Sequence, residues 1–265
     1  MTKLILAAAA SALLLPAAAH AQAYVDEGKP DIRVRIGLGG QVKPKFIGSD
    51  EVDLAPLIRV AVARGDADFR FSAPDDGFGV NLVRFGDLAL GVAGNLQSAR
   101  KDKDAGIAIG KVDRTVELGG FADYQFSDSF RLRAELRKGL GGHDGLVGQV
   151  GADAIVRQGD HYTLSVGPRL LLSDGRYQRA YFGVSPEAAV RTGLPVYRPS
   201  SGVYGVGLVS GLAGQIGNGP WGIVGYARYD RLVGDAGKSP FIRGYGSRDQ
   251  IAGGLALSYT FRVKR

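Results

Sequence analysis

The chain has 265 residues, with 0 Cys, 41 Gly and a formal net charge of +7. The lack of cysteine excludes disulfides, thiol catalysis and cysteine metal sites. The basic excess is not clustered, since Lys101 and Lys103 alternate with acidic residues, and this spacing argues against nucleic-acid binding. Attraction to acidic lipid head groups or to an anionic solute fits the charge better.

The first 21 residues have the pattern of a secretory signal peptide. Lys3 provides the positive start, Leu4 to Leu15 form an apolar stretch, and Ala19-His20-Ala21 is a small-residue cleavage site. The apolar stretch is shorter than the roughly 20 residues that a spanning helix needs, so we expect cleavage before Gln22. Residues 22 to 30 have no periodicity and are predicted to form a periplasmic leader.

From Asp31 onward, segments of alternating polar and apolar residues are separated by turn residues, which predicts one all-β domain over residues 31 to 261. Several segments have the roughly 9 to 11 residues with which a tilted strand crosses a membrane. The prediction is a single transmembrane antiparallel up-and-down β-barrel of about twelve strands, at residues 31 to 41, 54 to 63, 67 to 73, 78 to 85, 88 to 98, 115 to 126, 130 to 139, 146 to 157, 161 to 172, 202 to 216, 221 to 231 and 250 to 261.

The two faces of the predicted strands differ in polarity. In the segment 130 to 139, Phe130 and Leu132 alternate with Arg131 and Arg133. A charge facing lipid costs roughly 2 to 4 kcal/mol at the bilayer midplane, so charged residues should face the lumen. A two-layer soluble β-protein is the alternative, but the small partners of the apolar face would fill its core poorly. The predicted luminal residues are Arg33, Arg35, Glu117, Asp123, Arg131, Arg133, Glu135, Arg137, Asp153 and Arg157.

The connections predict which end of the barrel is which. Short turns alternate with the long loops 42 to 53, 99 to 114, 173 to 201 and 232 to 249, so we expect periplasmic turns and extracellular loops. Ser185-Pro186-Glu187 predicts a helix start in the longest loop, with the helix ending at Gly193. Gly48-Ser49-Asp50 and Gly234-Asp235 predict tight turns.

The last strand, 250 to 261, has an apolar face that ends in two aromatic residues. Tyr259 and Phe261 match the aromatic end of strands that close outer-membrane barrels, and we interpret them as an assembly signal for the barrel insertion machinery. Four residues, 262 to 265, follow as a basic tail, whereas such signals usually end on the aromatic itself.

Three loop segments and the closing strand carry a resemblance to a known family. Their key residues are Pro44, Phe46, Gly48, Ser49 and Asp50 in the first segment; Tyr181, Phe182, Gly183 and Val184 in the second; and Gly234, Asp235, Ser239 and Pro240 in the third. In this order, with Gly253 to Phe261, they resemble the MltA-interacting protein family, also called the OmpV family of outer-membrane proteins. The resemblance implies a scaffold that links a lytic transglycosylase to a murein synthase in peptidoglycan remodelling; other members are described as porin-like, antibiotic-responsive or adhesive.

Catalysis is not predicted. His143 lies beside Asp144 in a Gly-rich loop, where it is interpreted as part of a polar turn, and His161 begins a strand without a spacing that would form a catalytic group. No metal, cofactor or phosphate motif is present in the sequence. We therefore expect a non-enzymatic outer-membrane β-barrel embedded in lipid, for which the resemblance implies the scaffold role. A narrow anion-preferring channel and a surface adhesin are the alternatives, and an arginine lining paired with acids would close the channel.

Overall fold

The computed structural model describes residues 30–264, so the predicted signal peptide, nearly all of the leader and Arg265 lie outside the described residues. These residues form eleven strands: β1 Ile32–Pro44, β2 Val52–Arg64, β3 Phe78–Phe85, β4 Leu88–Gln97, β5 Thr115–Ser127, β6 Phe130–Leu140, β7 Leu146–Gln158, β8 Tyr162–Ser173, β9 Gly202–Gln215, β10 Trp221–Leu232 and β11 Asp249–Val263. Five short helices lie in the loops: α1 Asp102–Ala105, α2 Gly175–Phe182, α3 Pro186–Thr192, α4 Gly234–Lys238 and α5 Pro240–Tyr245.

All strands belong to one sheet in the order β2-β1-β11-β10-β9-β8-β7-β6-β5-β4-β3, and every neighbouring pair is antiparallel. The first strand pairs with the last, from Ile32 opposite Val263 to Val42 opposite Gly253. Pairing of the two chain ends curls the sheet into the wall of an up-and-down β-barrel. We call the end with the short connections the turn end and the other the loop end.

Side chains alternate between the outside and the inside of this wall, as a pleated strand requires. Leu54 on β2 is 82% exposed, and Leu132 on β6 is 40% exposed, whereas its neighbour Arg131 is 2% exposed. An apolar outer face with a charged inner face is the pattern of a transmembrane barrel, the reverse of a soluble protein with an oily core. No helix in residues 30–264 is long and apolar enough to cross a bilayer.

The predicted strand at 67 to 73 is wrong, and the wall has eleven strands rather than twelve. Residues 66–77, which we call the luminal segment, connect β2 to β3 through the interior instead of extending the sheet. The segment follows this path because its side chains find charged partners inside: Asp75 and Asp76 bind arginines of the wall, and Phe69 lies under two guanidinium groups. The other eleven strands differ from their predicted bounds by at most three residues at either end.

The outer strands of the sheet, β2 and β3, are not hydrogen-bonded to each other in the described part of the chain. Ten antiparallel pairs lead from β2 to β3 through the sheet, and each pair reverses the strand direction. Because ten is even, β2 and β3 run in the same direction, from the loop end to the turn end. The luminal segment therefore runs the opposite way, from the turn end to the loop end. We call the gap between β2 and β3 the seam.

The loops fold into a compact cap at the loop end. The predicted helix start is confirmed: Ser185 accepts a hydrogen bond from the Ala188 amide, Pro186 is the first residue of α3, and Gly193 ends the helix with φ +74°. The turn predicted at Gly48 is also present, with φ +92°. The tight turn predicted at Gly234-Asp235 is wrong, because Gly234 instead begins α4, whose Gly237 amide bonds back to Val233.

Candidate functional site in the lumen and the loop cap

The luminal segment is anchored near the turn end by its own backbone. Arg157 on β7 donates a 2.8 Å hydrogen bond to the Phe69 carbonyl, and Asp160 accepts a 3.0 Å bond from the Phe69 amide. Further along, Arg59 on β2 donates to the carbonyl of Pro74. Because the wall satisfies these groups of an irregular stretch, the segment is held against it along its length.

Asp75 is the centre of a buried ion cluster. Arg169 on β8 contacts both of its carboxylate oxygens at 2.7 and 2.9 Å, Gln149 on β7 donates at 2.6 Å, and Arg228 on β10 lies 3.7 Å away. The forked contact from Arg169 is the strong geometry for an arginine and a carboxylate. One acidic residue of the luminal segment thus joins three different strands of the wall.

Asp76 makes the equivalent connection to β6. Arg131 donates to Asp76 at 2.8 Å, to Asp123 at 2.6 Å and to Asp153 at 3.2 Å, so one guanidinium bridges three carboxylates. Arg133 is within 3.5 Å of Asp76 as well. These contacts close the middle of the lumen with paired charges.

A second row of pairs extends toward the loop end. Arg133 bonds Glu135 at 2.7 Å, and Arg137 bonds Glu117 at 2.9 Å as well as Glu135. His143 completes the row, since its Nε2 lies 3.1 Å from Glu117. His143 lies in a turn, as the sequence interpretation has it. The sequence did not reveal that its side chain is buried against Glu117, which lies 26 positions away, because the pairing of β5 with β6 brings this turn over Glu117.

Arg33, Arg35 and Arg157 surround the start of the luminal segment. Arg33 and Arg35 place their guanidinium carbons 5.0 and 4.2 Å from the centre of the Phe69 ring, which is a cation–π geometry. Arg33 also pairs with Asp160 at 2.9 Å, and Arg157 lies 3.7 Å from the same carboxylate. The structure thus places all ten predicted luminal residues on the inner face, together with unpredicted partners from the luminal segment.

Two cavities lie on either side of the luminal segment. The cavity nearer the turn end is about 150 Å³ and is bounded by Pro74; the one nearer the loop end is about 280 Å³ and is bounded by Asp75. Within residues 30–264, no group of three or more His, Asp or Glu side chains is placed to hold a metal ion.

The three loop segments singled out in the sequence meet in the core of the cap. Phe46 stacks on Phe241 with ring centres 6.3 Å apart, and the Ser239 hydroxyl donates a 2.7 Å bond to the Phe182 carbonyl. The Gly48 amide donates to Gln250 at the start of β11. Residues far apart in sequence are therefore joined in one packed unit over the lumen.

The remaining motif residues shape the same unit. Three of them mark the ends of elements: Pro44 ends β1, Gly183 caps α2, and Pro240 is the first residue of α5. Two others join loops, since Val184 forms a bridge with Tyr197 and Asp235 accepts hydrogen bonds from both the amide and the hydroxyl of Ser200. Ser49 and Tyr181 are buried, and Asp50 is exposed.

Buried aromatic rings fill the space between the cap and the luminal ion pairs. Tyr177 contacts Tyr181, Tyr204 and His143 with ring centres 4.9 to 5.2 Å apart. Burial raises the pKa of the Tyr177 phenol well above its usual value. Arg100 donates a 2.8 Å bond to the Tyr181 carbonyl, and burial lowers the pKa of Arg100 to about 10. The cap thus contains buried polar groups that depend on its close packing.

The closing strand has its aromatic pair on the outer face. Tyr259 and Phe261 are both partly exposed, and Tyr259 contacts Trp221 edge-on at 4.9 Å. β11 continues to Val263, so Arg262 and Val263 pair with Arg33 and Ile32 within the wall. Aromatic rings near the ends of membrane-spanning strands are typical of the membrane interface.

Comparison with solved structures finds outer-membrane barrels at low similarity. The N-terminal β-barrel domain of OprF from Pseudomonas aeruginosa is 12% identical, covering 66% of this chain and 98% of that one, with a TM-score of 0.28. The translocator domain of the autotransporter NalP from Neisseria meningitidis is 14% identical, with coverages of 89% and 91% and a TM-score of 0.35. The P. aeruginosa outer-membrane protein OprG is 11% identical, with coverages of 88% and 97% and a TM-score of 0.28. No curated protein matches the chain.

The apolar outer face, the charged and filled interior and the antiparallel meander define the class as an outer-membrane β-barrel. The family is shown directly by sequence, because the model described as MltA-interacting protein MipA matches residues 36–261. The chain belongs to this family, as its loop segments and closing strand indicate.

Proposed function

We propose that this protein is a closed, non-enzymatic outer-membrane barrel that acts as a scaffold, holding a lytic transglycosylase, and with it a murein synthase, at the inner surface of the outer membrane. Support for the partner comes from the family, whose name specifies interaction with MltA. Support for a scaffold rather than a passage comes from the filled lumen.

The observation that best supports a closed barrel is the luminal segment with its ion pairs. A solute would have to cross between Arg131 and Arg169, which pair with Asp75, Asp76 and Asp153 at 2.7 to 3.2 Å. Rearranging buried ion pairs is costly, because removing one partner leaves the other charge buried and unpaired. The packed cap closes the loop end as well, so the narrow-channel alternative has less support than a solid barrel that presents surfaces.

In the proposed orientation the turn end faces the periplasm after signal cleavage, and the leader and the tail lie on that side. Arg262 pairs with Asp66 at 2.8 Å and lies 3.8 Å from Asp31, which places the start of β1, the β2 turn and the tail side by side. This arrangement places Asp31 and Arg262, near the two ends of the described residues, on one surface. A partner recognised by the leader and the tail would therefore meet one contiguous patch.

Binding of a purified MltA-type transglycosylase to the mature barrel in detergent tests the scaffold. Deletion of residues 22–30 or of residues 264–265 is expected to weaken binding by about tenfold or more, the loss of one or two charged hot-spot contacts. Val190→Asp, on the fully exposed outer side of α3 in the cap, is the matched control and should bind normally. Undiminished binding by both truncations, or no binding by the intact barrel, contradicts the proposal.

Conductance in planar bilayers tests the closed lumen separately. The intact barrel should give no regular current steps, because the luminal segment fills the section between the two cavities. Steady anion-selective steps would support the channel instead.

A further inference from the structure

The arginines of the lumen fall into two groups that differ in their partners. Arg131, Arg133, Arg137 and Arg169 each lie within 4 Å of two or more carboxylates. In residues 30–264, Arg35 and Arg59 have no carboxylate within that distance. Arg35 donates only to the Thr260 hydroxyl, and Arg59 only to the Pro74 carbonyl. Two luminal guanidinium groups therefore retain unused donors.

Both of these arginines line the 150 Å³ cavity near the turn end. Arg70 and Arg157 line it too, against a single acidic residue, Asp160, which already pairs with Arg33. Guanidinium groups in a confined site of this kind attract carboxylate or phosphate oxygens, since their donors match such oxygens in pairs. The charge of the cavity thus selects an anion.

The rest of the cavity wall selects the size and character of that anion. Phe69 and Phe71 from the luminal segment and Tyr226 from β10 contribute aromatic rings. A cavity of about 150 Å³ with apolar walls has room for a single six-membered ring. Inorganic phosphate would contact the guanidinium groups alone, whereas an aromatic carboxylate would contact rings and guanidinium groups together.

We propose that this cavity is a binding site for a small ring-sized organic carboxylate, held by Arg35 and Arg59 through its carboxylate and by the phenylalanines of the luminal segment through its ring. The Thr163 and Ser165 side chains on β8 are further polar groups of the lining.

Calorimetric titration of the mature barrel in detergent with benzoate tests this site, with benzyl alcohol and inorganic phosphate as comparison ligands. Benzoate should bind and benzyl alcohol should not. Arg35→Gln and Arg59→Gln should each weaken benzoate binding by about tenfold or more, the effect of losing a charge-assisted hydrogen bond. Arg64→Gln, on the same strand as Arg59 but on its outer face, is the matched control.

Arg35→Lys and Arg59→Lys keep the charge and should bind more weakly than the wild type but more tightly than the Gln variants, which covers the case of a Gln variant that does not fold. Absence of benzoate binding, or equal binding by the Gln variants and the wild type, overturns the site. Binding of phosphate without benzoate overturns the assignment of an organic ligand and leaves an inorganic anion site.

A second inference starts from the seam. β2 and β3 each use only one edge in hydrogen bonding, and their outer side chains, such as Val60 and Val80, are exposed like the rest of the lipid-facing surface. Unpaired backbone groups are not tolerated in the hydrocarbon region, where no water can satisfy them. In the membrane a strand placed in the seam would satisfy these edges.

The luminal segment has the properties of that strand. Its residues alternate between apolar Ala67, Phe69, Phe71 and Ala73 and polar Asp68, Arg70 and Ser72. It runs opposite to both β2 and β3, so within the seam it would be antiparallel to both neighbours and would complete an even-numbered barrel. Its exit would leave the wall arginines paired, because Arg131 keeps Asp123 and Arg169 keeps Asp153.

We infer that residues 66–77 exchange between the lumen and the seam, and that the ion pairs of Asp75 and Asp76 favour the luminal position. Because the chain has 0 Cys, single cysteines report on this directly. In liposomes, Phe71→Cys should react with a thiol reagent confined to the lipid, and faster when Asp75→Asn and Asp76→Asn are added. Ser72→Cys, on the opposite face, should not react.

Val60→Cys on the outer face of β2 is the control that reports full access from lipid. If Phe71→Cys stays unreactive in both backgrounds while Val60→Cys reacts, the segment does not enter the seam. Equal reaction of Phe71→Cys and Ser72→Cys indicates unfolding of the segment rather than a strand, and also refutes the exchange.

Discussion

Replacement of Arg131 by Gln is the sharpest test of the ion network that fills this barrel. Arg131 is 2% exposed and contacts Asp76, Asp123 and Asp153 at 2.6 to 3.2 Å. The substitution removes the one positive charge that all three carboxylates share. Since the acids cannot move to water, their charge is left uncompensated.

The expected loss of stability follows from these contacts. Removing one partner of a buried pair costs about 3 to 5 kcal/mol, and we expect the lower end, about 3 kcal/mol. The reason is partial compensation: Arg133 remains 3.5 Å from Asp76, and Arg169 remains 2.7 Å from Asp153.

Equilibrium unfolding by guanidinium in lipid vesicles measures this loss, with the fluorescence of Trp221, the single Trp of the chain, as the signal from the wall. Arg231→Gln is the control, because its pair with Asp249 is about half exposed and should contribute under about 1 kcal/mol. Adding Asp76→Asn to Arg131→Gln should restore part of the stability, since it removes one uncompensated charge. A change below about 1 kcal/mol for Arg131→Gln would refute the network as a stabilising element.

Three further outcomes concern the cap. Phe241→Ala removes a fully buried ring and should destabilise the cap by about 3 to 5 kcal/mol, seen as faster proteolysis of the loops, whereas Tyr245→Ala on the exposed side of the same helix should not. Gly48→Ala should lower the melting temperature of the cap, because φ is +92° and the new Cβ would lie 2.3 Å from the Ile242 Cδ1; an unchanged melting temperature contradicts this. Burial raises the pKa of Tyr177, so the stability that its neutral phenol contributes is complete below the ordinary phenol pKa and is lost as the pH rises above about 10. Tyrosinate absorbance should therefore appear together with faster proteolysis of the loops. Ionisation of Tyr177 in a cap that still resists proteolysis would contradict its raised pKa.

The strands could be read from the sequence because each carries its own evidence. Alternation in β6 places Arg131 and Leu132 on opposite faces whatever the neighbouring strand is, and a charge facing lipid is too costly for the register to be reversed. The start of α3 is equally local, since Ser185 and Pro186 cap it without help from the rest of the chain.

Long-range partners decided the features that the sequence did not reveal. Residues 67 to 73 alternate like a strand, yet Asp75 and Asp76, which follow them, bind arginines from β6, β8 and β10 and draw the segment into the lumen. His143 is a turn residue in the structure, as its sequence suggests, but the pairing of β5 with β6 is what brings Glu117 within 3.1 Å of its ring.

The sequence by itself determined the class of the protein, because the period of a strand and the cost of a charge in lipid act residue by residue. Only the tertiary structure decided that the lumen is filled and that three separate loops form one cap. Both outcomes depend on which inward side chains become neighbours when β1 pairs with β11, and that choice is made between strands up to 231 positions apart, from Ile32 to Val263.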